Sequence, residues 1–248
     1  MGGTGRVVLL LTLAAVAFAQ TDQTPRPPRK DGRGLLQVNR DFYDIAAATG
    51  GDAYFWAHGE FAASQLQIPI PYEEVVLSYG TVSTRRVFDI PVESGVRVLT
   101  VFASVQRKDL AVLIRPDGVV FNDAKVLQSY QHMLIASVDA PEAGIWKLEL
   151  HGEGLYCVTA HVDSEEGPEL LGFKPPCEVS LSGKLAGVEL EFVAKDGSVL
   201  ARVPLQPADG ARFIGKCVEP REPYRAAIRG VDGAGKPFRR VDKPLRTP

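Results

Sequence analysis

The sequence predicts a mainly β protein made of two tandem antiparallel β-sandwiches behind a short N-terminal α/β appendage, with the second sandwich immunoglobulin-like or fibronectin-III-like. Three observations predict this fold class. From Glu73 onward, apolar and polar residues alternate with the period of half-buried strands. Strand-like runs recur about every ten residues, separated by turn residues such as Pro116-Asp117-Gly118. The 18 prolines and 24 glycines are scattered between these runs, as in turn-rich sandwiches.

Residues 1–19 have the pattern of a signal peptide. A short segment with Arg6 precedes an apolar run at residues 7–18, and the small residues Ala17 and Ala19 stand where signal peptidase reads the chain. A membrane-spanning helix needs about 20 apolar residues, and this run is shorter. We therefore expect a secreted, extracellular protein with no membrane span after cleavage; an uncleaved anchor is the alternative.

Residues 20–34 and the appendage at 35–72 follow. The first segment is polar, proline-rich and basic, which predicts a disordered linker. Apolar residues recur at helical spacing over residues 35–48, and Gly50 and Gly51 can take the conformation that ends a helix. A helix followed by a short strand at residues 52–56 is therefore expected.

Three consecutive rings in that short strand form a candidate interface, namely Tyr54, Phe55 and Trp56. The appendage has little core of its own, so these rings would mark a contact surface if they are exposed.

The two sandwiches are predicted at residues 73–166 and 167–248. In the first, strands are expected at 75–77, 86–92, 96–105, 110–115, 133–138, 145–150 and 155–162, with turns at 141–144 and 151–154. In the second, they are expected at 178–181, 188–194, 199–204, 212–218, 224–229 and 237–241. Asp196-Gly197 and Asp232-Gly233 are typical of hairpin turns in the second sandwich.

Three cysteines suggest one disulfide in an oxidising compartment. We favour Cys177–Cys217, because both lie in the second sandwich and the bond would close a 40-residue loop. The chain-entropy model gives such a loop about 4 kcal/mol of stabilisation. Cys157–Cys177 is the alternative pairing.

The sequence carries no catalytic constellation that we recognise. The net charge of −2 gives no reason to expect nucleic acid as a partner. The four histidines are scattered, and neither a metalloprotease helix nor a nucleophile elbow occurs. Residues 230–236 match the first part of a phosphate-binding loop, but Pro237 replaces the Ser or Thr that would bind Mg²⁺. We expect a hairpin turn there, and no catalytic residue, metal site or cofactor in the protein.

Several segments, in order, resemble a known family of extracellular proteins. Residues 42–46 followed by Thr49-Gly50-Gly51 resemble the end of a von Willebrand factor A domain. Residues 88–92, 99–104 and 141–146 resemble the segment that follows this domain in the hemicentins. Residues 171–173 fit the close of that segment, and residues 223–232 and 235–240 resemble the next sandwich.

The resemblance implies an extracellular matrix or cell-adhesion function. It does not imply metal-dependent adhesion, because the metal site of the A domain needs an Asp-x-Ser-x-Ser loop and this sequence has none.

We therefore expect a secreted, non-catalytic matrix or adhesion-type protein that binds extracellular proteins through its sandwich surfaces. The alternatives are a soluble ligand-binding or regulatory (decoy) module and a carbohydrate-binding accessory domain. The last of these predicts a planar row of exposed aromatic rings.

Overall fold

The computed structural model describes residues 35–36, 38, 40–51, 53–55, 73–123, 127–164, 167–175 and 177–247. Within them the chain is mainly β, with antiparallel pairing throughout and a single short helix, which confirms the predicted fold class. The predicted signal peptide and linker lie outside the described residues.

The first sandwich is a six-stranded sheet that bends back on itself. Its strands are β1 (Glu73–Val82), β2 (Arg85–Val92), β3 (Val96–Ile114), β4 (Leu127–Ser129), β5 (Met133–Asp139) and β6 (Gly144–Ser164). β1 pairs with residues 154–162 of β6, whereas β2 pairs with residues 144–151. β3 follows β6 through both halves, so the two halves of the sheet enclose one apolar core.

A bend in β6 replaces the turn predicted at residues 151–154, and that prediction is wrong. β3 and β6 are 19 and 21 residues long and remain paired through this region. β3 has bulges between Val105 and Arg107 and between Lys108 and Leu110, which allow it to curve. Gly152 permits the close approach, because a Cβ there would lie 2.2 Å from the Arg107 carbonyl oxygen. The glycine that suggested a turn instead allows a continuous strand to bend.

The second sandwich has two four-stranded sheets. Its strands are β7 (Leu170–Lys174), β8 (Glu178–Leu181), β9 (Leu185–Val193), β10 (Val199–Pro204), β11 (Gln206–Pro207), β12 (Arg212–Ile214), β13 (Arg225–Asp232) and β14 (Pro237–Val241). One sheet has the order β10-β9-β13-β14 and the other β11-β12-β8-β7. Between them lies an apolar core that includes Val179, Leu190, Phe192 and Ile228. Asp196-Gly197 and Asp232-Gly233 form the turns of the β9–β10 and β13–β14 hairpins, as predicted.

The predicted disulfide is present. Cys177 and Cys217 are bonded, with their Cα atoms 6.3 Å apart, and Cys177 lies in the core of the second sandwich. Cys157, the alternative partner, is a buried thiol on β6.

The appendage differs from its prediction at both ends. Helix α1 (Arg40–Thr49) begins at Arg40 rather than Leu35. Leu36 instead pairs with β3, since its N–H donates to the Gln106 carbonyl at 3.2 Å and the Gln106 Nε2 donates to the Leu36 carbonyl at 2.7 Å. After the helix, residues 53–55 are not a strand. The Ser104 hydroxyl holds them by hydrogen bonds to the Ala53 carbonyl and from the Phe55 N–H.

Helix α1 lies where the two sandwiches meet. We call the apolar cluster at this point the junction core; it contains Tyr43, Ala46, Ala47, Ala53, Phe55, Leu77, Tyr79, Leu155, Cys157, Val193, Ala227 and Val241. These residues come from the appendage and from both sandwiches, so the three parts share buried surface. The appendage is therefore part of the contact between the sandwiches.

Candidate functional site: a cleft between the sandwiches

The candidate interface at the end of the appendage does not form an exposed patch. Tyr54 is 5% exposed and Phe55 is 2% exposed. Tyr54 packs edge-on against Phe102, and Phe55 lies in the junction core. These two rings therefore do not form an exposed contact surface, because folding against β3 covers them. Trp56 lies outside the described residues.

Among the described residues, no group of three His, Cys, Asp or Glu side chains could hold a metal ion. One acid–histidine pair occurs on the surface of the first sandwich, where the His151 Nε2 lies 2.6 Å from Glu149 Oε1. Arg85 binds the same carboxylate through two hydrogen bonds, and together with His151 it lowers the pKa of Glu149 to about 2. The arrangement is that of a surface ion pair.

A cleft of about 330 Å³ lies between the two sandwiches. One wall is the outer face of the β10-β9-β13-β14 sheet, and the other is formed by β1 and β2. The same outer face contributes Val193, Ala227 and Val241 to the junction core. One part of this face therefore packs against the first sandwich, while the adjoining part lines an open space.

The charged side chains in the cleft converge on one buried carboxylate. Glu191 on β9 has a side chain that is only 4% exposed. Its carboxylate accepts hydrogen bonds from the Nε of Arg202 and the Nε of Arg239, each at 3.0 Å. The Arg229 Nη1 lies 3.5 Å from the same carboxylate, and its Nε lies 3.7 Å from Glu189. We call Glu191 with Arg202, Arg229 and Arg239 the arginine cluster.

The strand register explains why these four side chains meet. Arg202 stands opposite Glu191 in the β10–β9 pair, and Arg229 stands opposite Arg239 in the β13–β14 pair. Side chains at such cross-strand positions lie on one face, close enough to interact. Two arginines directly opposite each other repel, and a nearby anion offsets that repulsion.

The electrostatics of the arginine cluster agree with its geometry. Burial opposes the ionisation of Glu191, but Arg239, Arg202 and Arg229 outweigh it and hold the pKa of Glu191 below its ordinary value. Burial lowers the pKa of the Arg239 guanidinium, and the charges of Arg229 and Arg202 lower it further, although Glu191 opposes both effects. Arg239 is thus a partly buried cation whose environment favours additional negative charge.

The opposite wall carries a charged pair of its own. The Arg86 Nη2 donates to the Asp196 carboxylate at 3.0 Å and to the Asp196 carbonyl oxygen at 2.6 Å. Its guanidinium also lies over the rings of Phe88 and Tyr156. This arrangement connects the β9–β10 turn to the first sandwich and fixes one end of the cleft.

Sequence reasoning missed the arginine cluster. Arg202, Arg229 and Arg239 are on three different strands, and no local motif links them. A signal was nevertheless present, because each of these arginines lies in a predicted strand next to apolar residues of the opposite face. Such alternation predicts one charged face, but it does not show which charged residues meet.

The part of the chain that the structure describes includes no helix long and apolar enough to span a membrane.

Comparison with known proteins gives only distant similarity. No family model matches the chain, and no curated protein matches it. Among solved structures, the chain is similar to the Bacillus licheniformis lipase BlEst2 in its propeptide form, with a TM-score of 0.45 and 16% identity over 86% of this chain and 53% of the other. The Ruminococcus gnavus β-glucuronidase in complex with D-glucuronic acid has a TM-score of 0.21 and 11% identity over 75% of this chain and 42% of the other.

The chain thus spans about half the length of these structures or less. Likenesses this weak carry no argument about activity, and the resemblance to hemicentins stays a prediction.

Proposed function

We propose that this protein is a secreted, non-catalytic matrix or cell-adhesion-type protein, hemicentin-like but without the metal-dependent adhesion site. It would bind extracellular proteins through the surfaces of two sandwiches held in a fixed relative orientation. The observation that carries the proposal is the junction core, in which helix α1 and both sandwiches share buried side chains. Domains within one chain normally move relative to each other unless their interface is large and apolar.

Polar contacts also fix the orientation in which the parts meet at the junction core. Arg225 on β13 is fully buried, and its guanidinium donates to the carbonyl oxygens of Lys243 and Ala47 while lying over the Tyr79 ring. The Tyr43 hydroxyl of α1 is directed at the carbonyl oxygens of Tyr156 at 2.8 Å and Gly80 at 3.1 Å. Such hydrogen bonds fix the orientation of the contact, since a shift would leave buried polar groups without partners.

Two further observations support an extracellular location. The Cys177–Cys217 disulfide is of the kind that persists in oxidising compartments. Residues 1–19 have the sequence pattern of a signal peptide. A rigid pair of sandwiches, the second of which contains an internal disulfide, suits a protein that presents binding surfaces outside the cell.

The proposal is tested by measuring whether the protein is retained in the extracellular matrix. The full chain is expressed with a C-terminal tag in secreting cells, and the deposited matrix is separated from the medium. Retention in the matrix fraction, together with capture of matrix proteins after cross-linking, is the expected result. A protein found only in the medium, without any cross-linked matrix partner, contradicts the proposal.

The cleft favours a second candidate, a soluble ligand-binding module. A concave site at a domain interface with a few convergent polar groups is the usual setting for a small ligand. Recovery from the medium with one soluble partner or ligand would favour this candidate. The carbohydrate-binding alternative has less support, because Phe42 is the only exposed aromatic residue among the described ones.

A further inference from the structure

We propose that the arginine cluster binds a small oxyanion, either a sulfate or a carboxylate group, in the cleft between the sandwiches. The inference deepens the second candidate function by naming a ligand chemistry, and it rests on that function only for its biological role. It is carried by the geometry of four side chains and by the cavity that they face.

Arg202 and Arg229 keep side-chain N–H donors that no described residue uses. Arg202 is 52% exposed, and within the described chain its only side-chain hydrogen bond is the one from Nε to Glu191. Its two Nη groups can therefore donate toward the cleft. Arg229 lies within ion-pair distance of two glutamates, but its side chain makes no hydrogen bond with the described residues. Both guanidinium groups retain the paired N–H donors that bind carboxylate and sulfate.

The charged side chains that line the cleft do not balance one another. The lining of the cleft holds four arginines against three carboxylates, namely Asp89, Glu191 and Asp196. Asp196 is paired with Arg86, and Asp89 stands opposite Lys147 in the β2–β6 register. Glu191 is thus left to balance Arg202, Arg229 and Arg239, with Glu189 near Arg229 alone. Three guanidinium groups against two carboxylates leave the cluster with an excess of positive charge, which a bound anion would offset.

The cleft is small, and one of its guanidinium groups is already held in place. The cleft volume of about 330 Å³ is at the lower end of the range for ligand sites. It has room for one acidic group and its immediate carrier, rather than for an extended chain. Arg239 is held by Glu191 and by a 2.9 Å hydrogen bond from its Nη1 to the Val75 carbonyl. A ligand would therefore meet one guanidinium group that is already fixed and two that have unused N–H donors. The fixed group limits the cost of ordering the site on binding.

Isothermal titration calorimetry of the full secreted chain tests this inference, with sodium sulfate and sodium acetate as probes and with sodium chloride at matched ionic strength as the reference. We expect saturable binding of at least one oxyanion. Arg202→Gln and Arg229→Gln should each weaken it about tenfold, since each removes a charge-assisted contact. Arg202→Lys should keep part of the affinity, because it keeps the charge but loses the planar fork. Comparing sulfate with acetate shows which oxyanion the site prefers.

Arg212→Gln is the matched control, because Arg212 on β12 pairs with Asp209 and Glu178 and does not line the cleft. It should leave binding unchanged, and thermal melting should show that every variant folds. The inference is overturned if neither oxyanion binds more tightly than chloride, or if Arg212→Gln weakens binding as much as Arg202→Gln. Matrix retention of the wild-type chain is measured in parallel. A wild-type chain that is retained in the matrix but binds neither oxyanion would reject only the site, whereas one that binds an oxyanion but is not retained would reject only the matrix function.

Discussion

Arg240 of the second sandwich and Glu93 of the first form an ion pair that is almost completely inaccessible to solvent, with side chains 1% and 0% exposed. The Arg240 Nη1 and Nη2 both donate to the Glu93 carboxylate. A charged pair buried between two β units holds them in one arrangement, because separation would leave each charge without its partner.

Replacing Arg240 should destabilise the protein strongly. Arg240→Met leaves the Glu93 carboxylate buried and unpaired, which costs about 3–5 kcal/mol of unfolding free energy. Urea denaturation followed by tryptophan fluorescence measures the change. Arg212→Met is the control, since it removes an exposed pair and should leave the denaturation midpoint unchanged. Equal effects of the two variants would mean that the buried pair does not hold the sandwiches together.

The stability of helix α1 should depend on the hydroxyl group of Tyr43. Tyr43→Phe keeps the ring in the junction core but leaves the carbonyl oxygens of Tyr156 and Gly80 without this donor. We expect a loss of about 1–3 kcal/mol, with faster amide hydrogen exchange in residues 43–50. Ile45→Ala on the exposed face of the helix is the control and should have a smaller effect. Unchanged exchange in Tyr43→Phe would show that the hydroxyl does not hold the helix.

Reduction should destabilise the second sandwich. Breaking Cys177–Cys217 frees a 40-residue loop in the unfolded chain, and the chain-entropy model predicts a loss of about 4 kcal/mol. Denaturation with and without dithiothreitol measures it. Cys157→Ala should keep the full response to the reductant, because Cys157 is not in the bond. A Cys177→Ser/Cys217→Ser variant that matches the oxidised wild type in stability would contradict this prediction.

The dependence of folding stability on pH should involve Asp232. Burial opposes its ionisation, but the backbone N–H groups of Lys236, Ser94 and Ala234 donate to its carboxylate and hold its pKa below the ordinary value. A carboxyl group with a depressed folded-state pKa contributes stability above its unfolded pKa of about 3.9, and loses it as the pH falls through the folded value.

Urea denaturation between about pH 2.5 and 6 should therefore show wild-type stability falling below about pH 4. Asp232→Asn should be less stable at pH 6 and should lose less on acidification. Parallel curves for the two proteins would mean that this carboxylate does not contribute to the acid response.

Local patterns predicted much of the fold. The alternation along β2, the Asp-Gly hairpin turns and the Cys177–Cys217 bond could be predicted from residues near in sequence or from the length of the closed loop. The long bent strands were not, since Gly152 suits a turn as well as a strand bend. Likewise, Tyr54 and Phe55 are buried by contacts with β3, which lies about 50 residues away in sequence.

The cleft could not be predicted because it depends on register and on packing between the sandwiches. Arg202 meets Glu191 only through the β9–β10 pairing, and Arg239 reaches Glu191 from β14 across the intervening strand β13. A one-residue shift in either pairing would move an arginine to the opposite face of the sheet. The sequence therefore indicated a charged face without indicating a binding site.

The most direct test of the central claim is to express the full chain in secreting cells and follow where it goes. Mass spectrometry should find the protein outside the cells with its N-terminus at Gln20, and most of it should co-fractionate with the deposited matrix. A chain that keeps Met1 and stays inside the cells would contradict secretion, and a processed chain found only in the medium would contradict the matrix function.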